Sequence, residues 1–205
     1  MPASTTRNLQ MGGAQGPCLQ TEHLVVRPGR PGDQRAIVTY YRRNRAFLEP
    51  WEPTKPSDFY TEHFWTEQLR EFHREAEWGT AHRFFLFPTE SPGEVIGYIS
   101  YSQIIRRAAH SCILGYSLSD NHQGKGLMVE ALRATNHWVF DQLRLHRIMA
   151  NYMPHNRRSG AVLRRLGFTV EGFARDYLLI AGRWEDHILT SLLNPDWPGE
   201  LATPE

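Results

Sequence analysis

The sequence predicts a mixed α/β fold: a single domain whose twisted, mostly antiparallel sheet is flanked by helices. Three observations carry this expectation. The chain has 205 residues, 40% of them hydrophobic and 22% charged, which suits one globular domain and would leave two cramped. Its middle is a series of β-branched and aromatic runs of strand length broken by turn residues, whereas the segments on either side return to helical spacing. No internal repeat and no second set of domain-sized elements interrupts that order. The boundaries that follow are a flexible N-terminal leader over 1–20, rich in Gly, Ser, Thr, Pro and Gln, a domain over 21–197, and a tail over 198–205.

The elements can be justified in order. Leu24-Val25-Val26 reads as a short strand closed by Pro28-Gly29 and Pro31-Gly32, after which Asp33 offers a cap for a helix to about Arg45. Phe47-Leu48-Glu49-Pro50-Trp51-Glu52-Pro53 holds too much proline for regular helix, and Ser57 or Asp58 can cap a second helix reaching about Trp78. His82 to Phe87, Val95 to Ile105 and Ser111 to Leu118 then form an antiparallel meander, separated by Pro92-Gly93 and by the polar stretch Arg106 to His110. Met128, Leu132, Thr135, Val139 and Leu143 fall on one helical face. His146 to Met153 alternates as a strand, Asn156 caps a short helix with Val162, Leu163 and Leu166 inward, and Gly167 stops it. Val170 to Ile180 and Trp184 to Leu193 pair around the turn Ala181-Gly182.

Composition narrows the partners. Lys+Arg 23 against Asp+Glu 22 leaves a formal charge of +1, so no bulk field marks nucleic acid or a membrane surface as the main partner, and any anion must be gripped locally. The apolar runs Phe84 to Phe87 and Tyr177 to Ile180 are far short of the ~20 residues a membrane helix needs. Two cysteines, Cys18 and Cys112, make no disulfide framework and fit a reducing compartment. A cytoplasmic protein that does not engage membranes is expected.

The one anion-binding candidate is Gln123-Gly124-Lys125-Gly126, between the strand ending at Leu118 and the helix starting near Leu127. Backbone amides there can converge on an anion at a helix N-terminus, where the dipole also favours negative charge. Gly-x-Gly alone is a weak signal, and a turn merely joining strand to helix explains it as well. A phosphate loop of the Walker type is excluded because Gly126 follows Lys125 where Ser or Thr is required; a dinucleotide fingerprint is excluded by Val129.

With Gln123 and Gly126 in place, the segment resembles the Gln/Arg-x-x-Gly-x-Gly/Ala loop of the GCN5-related N-acetyltransferase (GNAT) superfamily, Met128 replacing the last small residue. Thr21 to Arg27, Asn156-Arg157-Arg158-Ser159 and Leu166-Gly167-Phe168 also stand where that superfamily places them. The similarity is greater to the RimJ-type members, which acetylate the N-terminal alanine of a small-subunit ribosomal protein. It rests on Phe47 to Pro53, Gln123 to Met128, His146 to Asn156, Asp176 to Ile180 and Pro195-Asp196-Trp197, and covers about Thr21 to Trp197. The resemblance implies a GNAT-like domain with a central splayed parallel strand pair, acetyl-CoA as cosubstrate, and direct transfer in a ternary complex to a ribosomal-protein N-terminus.

It also implies site residues. Tyr116, Ser117 and Leu118, at the end of the splayed strand, and Gln123, Gly124, Lys125, Gly126, Leu127 and Met128 hold the cofactor, with Asn156 on pantetheine or acceptor. Lys125, Arg157 or Arg158 add charge, or simply face solvent. The superfamily's usual acid, a tyrosine just before the Leu-Gly-Phe phrase, is replaced by Val162-Leu163-Arg164-Arg165, and Ser159 is the substitute proton donor, unless Asn156 and Ser159 only cap the helix. Gly115-Tyr116-Ser117 brushes against a hydrolase elbow, but Ser119 occupies the final glycine position and a loop follows.

The amine's acidity favours an α-amino acceptor. With a pKa of ~7.8 it is roughly a quarter neutral near pH 7.4, against ~0.1% for lysine, a handicap of about 1 rather than about 4 kcal/mol. A modest base then suffices: Asp176, or Glu49 or Glu52 in the proline-rich loop, acting through water. Asp176 can instead pair with Arg175 or Arg183, and both glutamates can simply be solvated. Trp51, Tyr101, Tyr152 and Tyr177 are candidate walls of the acceptor groove, or core. The ten histidines show no metal-ligand spacing, so no metal is expected. Two competing readings remain: acetylation of a small polyamine- or aminoglycoside-like amine, and a ribosome-assembly role through local arginine patches at Arg42, Arg43, Arg45, Arg106 and Arg107.

Overall fold

Among the described residues, β-strand pairing extends from Arg7 to Leu193. The computed structural model describes residues 7–8 and 16–198. In chain order the elements are β1 (Arg7–Asn8), β2 (Leu19–Gln20), β3 (Leu24–Arg27), α1 (Gln34–Arg43), α2 (Arg45–Leu48), α3 (Glu62–Glu77), β4 (His82–Pro88), β5 (Gly97–Ile105), β6 (Ser111–Leu118), α4 (Leu127–Gln142), β7 (Arg147–Tyr152), α5 (Arg157–Arg165), β8 (Thr169–Ile180) and β9 (Arg183–Leu193), with 3₁₀ turns at Glu49–Trp51 and Asp120–His122. Among the described residues they form one nine-stranded sheet in the order β1-β2-β3-β4-β5-β6-β7-β9-β8. Every neighbouring pair is antiparallel except β6 and β7.

Both faces of the sheet are covered at its centre, and β4 shows why, whereas β8 at the edge is largely exposed. Phe84 and Leu86 pack into a core shared with α4 and α5, whereas Phe85 and Phe87 pack with residues of α1 and α3 on the opposite face. Strict alternation on a strand apolar at every position yields a helix/sheet/helix sandwich. The second core is aromatic: Tyr41 stacks on Trp65 at 5.2 Å between ring centroids, and Phe59 meets both edge-on.

Several local details depart from the sequence reading. Asp33 is the N-cap residue of α1, but its side chain makes no capping bond, because Arg27 takes its carboxylate at 2.7 and 3.0 Å and the Arg30 amide donates to it at 2.7 Å. The cap of α3 is Thr61, not Ser57 or Asp58; its hydroxyl accepts from the Phe64 amide at 3.1 Å, while the residues before it are spent in a turn. Phe47 and Leu48 close a single helical turn, and Pro50 then forces the 3₁₀ geometry. Pairing also starts before residue 21: β2 joins β3, and β1 joins β2, inside the stretch read as a leader. The rest of that stretch and residues 199–205 of the tail lie outside the described residues.

The site is built by one topological event. β6 and β7 pair only through Ser111↔Arg147, Cys112↔Ile148 and Ile113↔Met149, after which the strands part. Leu114 to Leu118 stay paired to β5, and Ala150 to Tyr152 to β9, so the gap opens in the middle of the sheet. Peptide groups of β6 beyond Ile113 are thereby free on the β7 side.

Candidate active site

A cleft of about 600 Å³ occupies this gap. Tyr116, Ser117 and Leu118 of β6 form its floor, Gln123 and Met128 flank its glycine loop, Asn156 and Ser159 line it from α5, and Trp51 and Glu52 from the proline-rich turn. Sequence reasoning missed Phe47, Leu48 and His155, which complete the wall. Their proximity arises only when the 3₁₀ turn folds over the sheet: the Ala181 amide of the β8–β9 turn donates to the Glu52 carbonyl at 3.1 Å, and the Trp51 ring lies 5.4 Å from that of His155.

The glycine loop is shaped for amide donors. Gly124 and Gly126 have φ of 76° and 80°, left-handed values that L side chains rarely adopt, and Gly126 directly precedes the first turn of α4. The Gln123 side-chain amide donates to the Leu118 carbonyl at 2.9 Å, tying the loop to the end of β6. Gly124, Lys125, Gly126 and Leu127 are not themselves cleft-lining; they span the loop between Gln123 and Met128, which are. Arg157 and Arg158 do line the cleft, and the Arg158 guanidinium sits 5.5 Å from the Phe47 ring. No metal-type cluster of three or more His, Cys, Asp or Glu occurs among the described residues.

α5 is set by Asn156, whose side-chain oxygen accepts from the Ser159 amide at 3.1 Å, so the residue both caps the helix and lines the cleft. Gly160 lets α5 lie against β7, since a Cβ there would fall 2.8 Å from the Tyr152 ring. Adjacent residues of β6 point to opposite faces. Tyr116 reaches the Ser159 hydroxyl at 2.8 Å, and Ser117 accepts from the Tyr40 hydroxyl at 2.9 Å. Burial pushes the Tyr116 phenol above its ordinary value, partly offset by the bond to Ser159.

Of the three proposed bases only Glu52 lies in the cleft. Burial raises its carboxyl above the ordinary glutamate range, opposed by Lys55, whose ammonium is 3.2 Å away. Glu49 instead lines two adjoining hollows beside the β8–β9 turn. Asp176 is outside the cleft: φ is +47°, its amide donates to Asp186 at 2.9 Å, and the slip between Ala174 and Leu178 carries it out of the ladder. Arg183 approaches Glu185 rather than Asp176.

The aromatic walls divide likewise. Trp51 faces the cleft. Tyr101 is core, its hydroxyl bonded to Thr135 at 2.8 Å and Asn136 at 2.6 Å. Tyr152 packs beneath Gly160, and Tyr177 leans on His187 while its hydroxyl accepts from Asn151 at 3.3 Å. Cys112 is buried and its thiol pushed up to about 12 by desolvation, which removes it as a nucleophile at neutral pH.

A sheet splayed between β6 and β7, a left-handed glycine pair before a helix and a cleft joining them define an acyl-coenzyme A-dependent transferase architecture, and the chain belongs to the GNAT acetyltransferase family. The family model described as an acetyltransferase (GNAT) domain matches residues 23–169. The chain is 47% identical over 185 residues, 88% of its length and 93% of the relative's, to the [ribosomal protein uS5]-alanine N-acetyltransferase of Escherichia coli (strain K12). Among solved structures it is similar to the ribosomal-protein-S5-alanine acetyltransferase of Vibrio fischeri, with TM-score 0.83 and 42% identity over 87% of this chain and 97% of that one. It is also similar to Mycobacterium smegmatis RimJ in complex with CoA-disulfide, with TM-score 0.78 and 30% identity over 85% and 84%.

Proposed function

We propose that the chain acetylates the N-terminal alanine of ribosomal protein uS5, using acetyl-CoA and transferring the acetyl group directly within a ternary complex. The observation that carries the acceptor is the 47% identity to a uS5-alanine enzyme over 88% of the chain. The cleft fits the cofactor chemically, with free strand amides in the splay for pantetheine and glycine-loop amides for pyrophosphate. Acetyl-CoA supplies an activated acyl group as a thioester.

The chain's own residues meet the remaining demands. Glu52, its carboxylate made more basic by burial, takes the proton that the α-amino nitrogen sheds once the new C–N bond forms, through a water, and passes it to solvent. Free amides of β6 beyond Ile113 donate to the carbonyl oxygen as it gains charge. Ser159, lining the cleft beside Asn156, donates to the sulfur as the C–S bond breaks. Trp51 and the hollows holding Glu49 offer the acceptor peptide an aromatic wall and a rim of mixed charge, Glu49 and Glu185 standing beside Arg45, Lys55 and Arg183.

Ribosomal particles, in the cytoplasm, would then be a second point of contact through local arginines. Arg43 pairs loosely with Glu94 at 3.7 Å, Arg42 and Arg45 lean on Tyr60, and Arg106 and Arg107 form a separate group at the β5–β6 turn. Salt-sensitive co-sedimentation with small-subunit particles that Arg106→Ala/Arg107→Ala weakens supports this contact; no binding at low salt removes it.

Mass spectrometry after incubation with acetyl-CoA and either a uS5-derived Ala-initiated peptide or spermidine tests the acceptor. A single acetyl group on the peptide's α-amine is expected. Turnover of spermidine alone would overturn the assignment in favour of a small-amine enzyme.

A further inference from the structure

We propose that Tyr116 is a positioning residue for the thiol side of the transfer: its phenol donates to Ser159 Oγ, leaving the serine's own proton free to point at the thioester sulfur. This rests on the reading that Ser159 faces that sulfur.

The geometry singles out this pair. The two hydroxyl oxygens are 2.8 Å apart, and the phenol oxygen lies 3.3 Å from the Ser159 carbonyl oxygen, the poorer of its two acceptors. A phenol is a far stronger acid than an alcohol and is the better donor of the pair. Donation in the opposite direction would spend the Ser159 proton inside the protein and leave the sulfur without a donor. Both side chains line the cleft, and Asn156 holds the Ser159 amide, so the serine is fixed from two sides. A hydroxyl that accepts one hydrogen bond becomes a stronger donor of the next.

Tyr116 keeps its proton throughout, consistent with a buried phenol whose ionisation is disfavoured. The C–N bond forms, the C–S bond breaks, and the amine proton leaves by way of Glu52. The thiolate departs hydrogen-bonded to Ser159 and takes its proton from solvent. Tyr116 touches no reacting atom. Where the superfamily's usual tyrosine acid is missing from α5, a tyrosine on the facing strand orders the serine that stands in for it.

The test reads bound coenzyme A itself, so it does not depend on the acceptor. The thiol of coenzyme A bound to the full chain is titrated by its ultraviolet thiolate absorbance in wild type, Tyr116→Phe, Ser159→Ala and the double variant. Coenzyme A affinity at a pH where the thiol is protonated and thermal melting serve as checks on folding. Ser159→Ala is expected to raise the thiol's proton affinity about 10-fold or more and Tyr116→Phe about 3-fold, with the double variant no worse than Ser159→Ala. Turnover of the Ala-initiated peptide should fall in the same order at unchanged acetyl-CoA KM. If Ser159→Ala shifts the titration and Tyr116→Phe does not, or if the two effects multiply fully, the role of Tyr116 is refuted while that of Ser159 stands. If Ser159→Ala leaves the thiol unmoved, the reading of Ser159 fails and this proposal with it.

Discussion

Replacing Glu52 by Gln keeps the volume of the side chain and removes its charge, which separates its chemistry from its packing. Its carboxylate has the 3.2 Å contact to Lys55, its side chain is 19% exposed, and its backbone carbonyl anchors the β8–β9 turn, a bond that the substitution leaves intact. An α-amino acceptor is about a quarter neutral near pH 7.4, so supplying the nucleophile costs under about 1 kcal/mol. What remains for Glu52 is the proton released after attack. General-base catalysis of that kind contributes roughly 10²- to 10⁴-fold, and the modest demand places Glu52→Gln near the lower end, about 100-fold in kcat or about 3 kcal/mol. The base acts only when ionised, so wild-type kcat falls as pH drops through the raised Glu52 pKa, and the variant should lose that limb. Stability moves the other way. A carboxyl with a raised folded-state pKa contributes stability below its ordinary value and loses it as pH rises through the raised one; the variant should therefore melt no lower than wild type at neutral pH, the gain vanishing near pH ~4. Steady-state thiol release and thermal melting across pH measure both. Full kcat in Glu52→Gln at every pH, or a loss confined to acetyl-CoA KM, would refute the reasoning.

Three further substitutions probe the supports of the cleft. Gly126→Ala meets nothing within 4 Å but forces a Cβ onto a φ of +80°, at about 1–2 kcal/mol; calorimetry should show coenzyme A binding weakened about 10-fold, and unchanged affinity would separate the loop from the cofactor. Gly160→Ala places a Cβ 2.8 Å from the Tyr152 ring and should destabilise by about 1–3 kcal/mol, with Tyr152→Leu restoring much of the melting temperature in the double variant. Tyr101→Phe leaves Thr135 and Asn136 short of a partner in a region where the Asn136 side-chain nitrogen already has none; chemical denaturation should show a loss of about 1–3 kcal/mol with kcat unchanged, whereas a catalytic defect in a stable variant would return Tyr101 to the groove.

What could be read from the sequence was what short range decides. The apolar run of β4, the meander, the Ala181-Gly182 turn with both residues at positive φ, and the Asn156 cap follow from alternation, turn chemistry and a side chain three residues from its target. The splay between β6 and β7 was expected only through the family resemblance, because nothing local to Ile113 or Met149 says that pairing must stop there. Other details turn on a partner that local pattern does not reveal. Asp33 had to be seen beside Arg27 to lose its side-chain capping bond, and Tyr101 beside Thr135 for the choice between groove and core to be decided. Tyr116 and Ser159 are 43 residues apart, and Tyr40 and Ser117 are 77 apart; only the packing of helices on opposite faces of β6 joins them. The choice of Glu52 over Asp176 likewise turns on burial and on a bulge in β8, and composition is blind to both.

A crystal structure with coenzyme A and an Ala-initiated uS5 peptide bound together tests the central claim most directly. The account predicts pantetheine between β6 and β7, the sulfur within hydrogen-bond reach of Ser159, and the peptide amine no more than one water from Glu52. An amine beside Asp176, or a cofactor seated outside the gap that opens after Ile113, would contradict it.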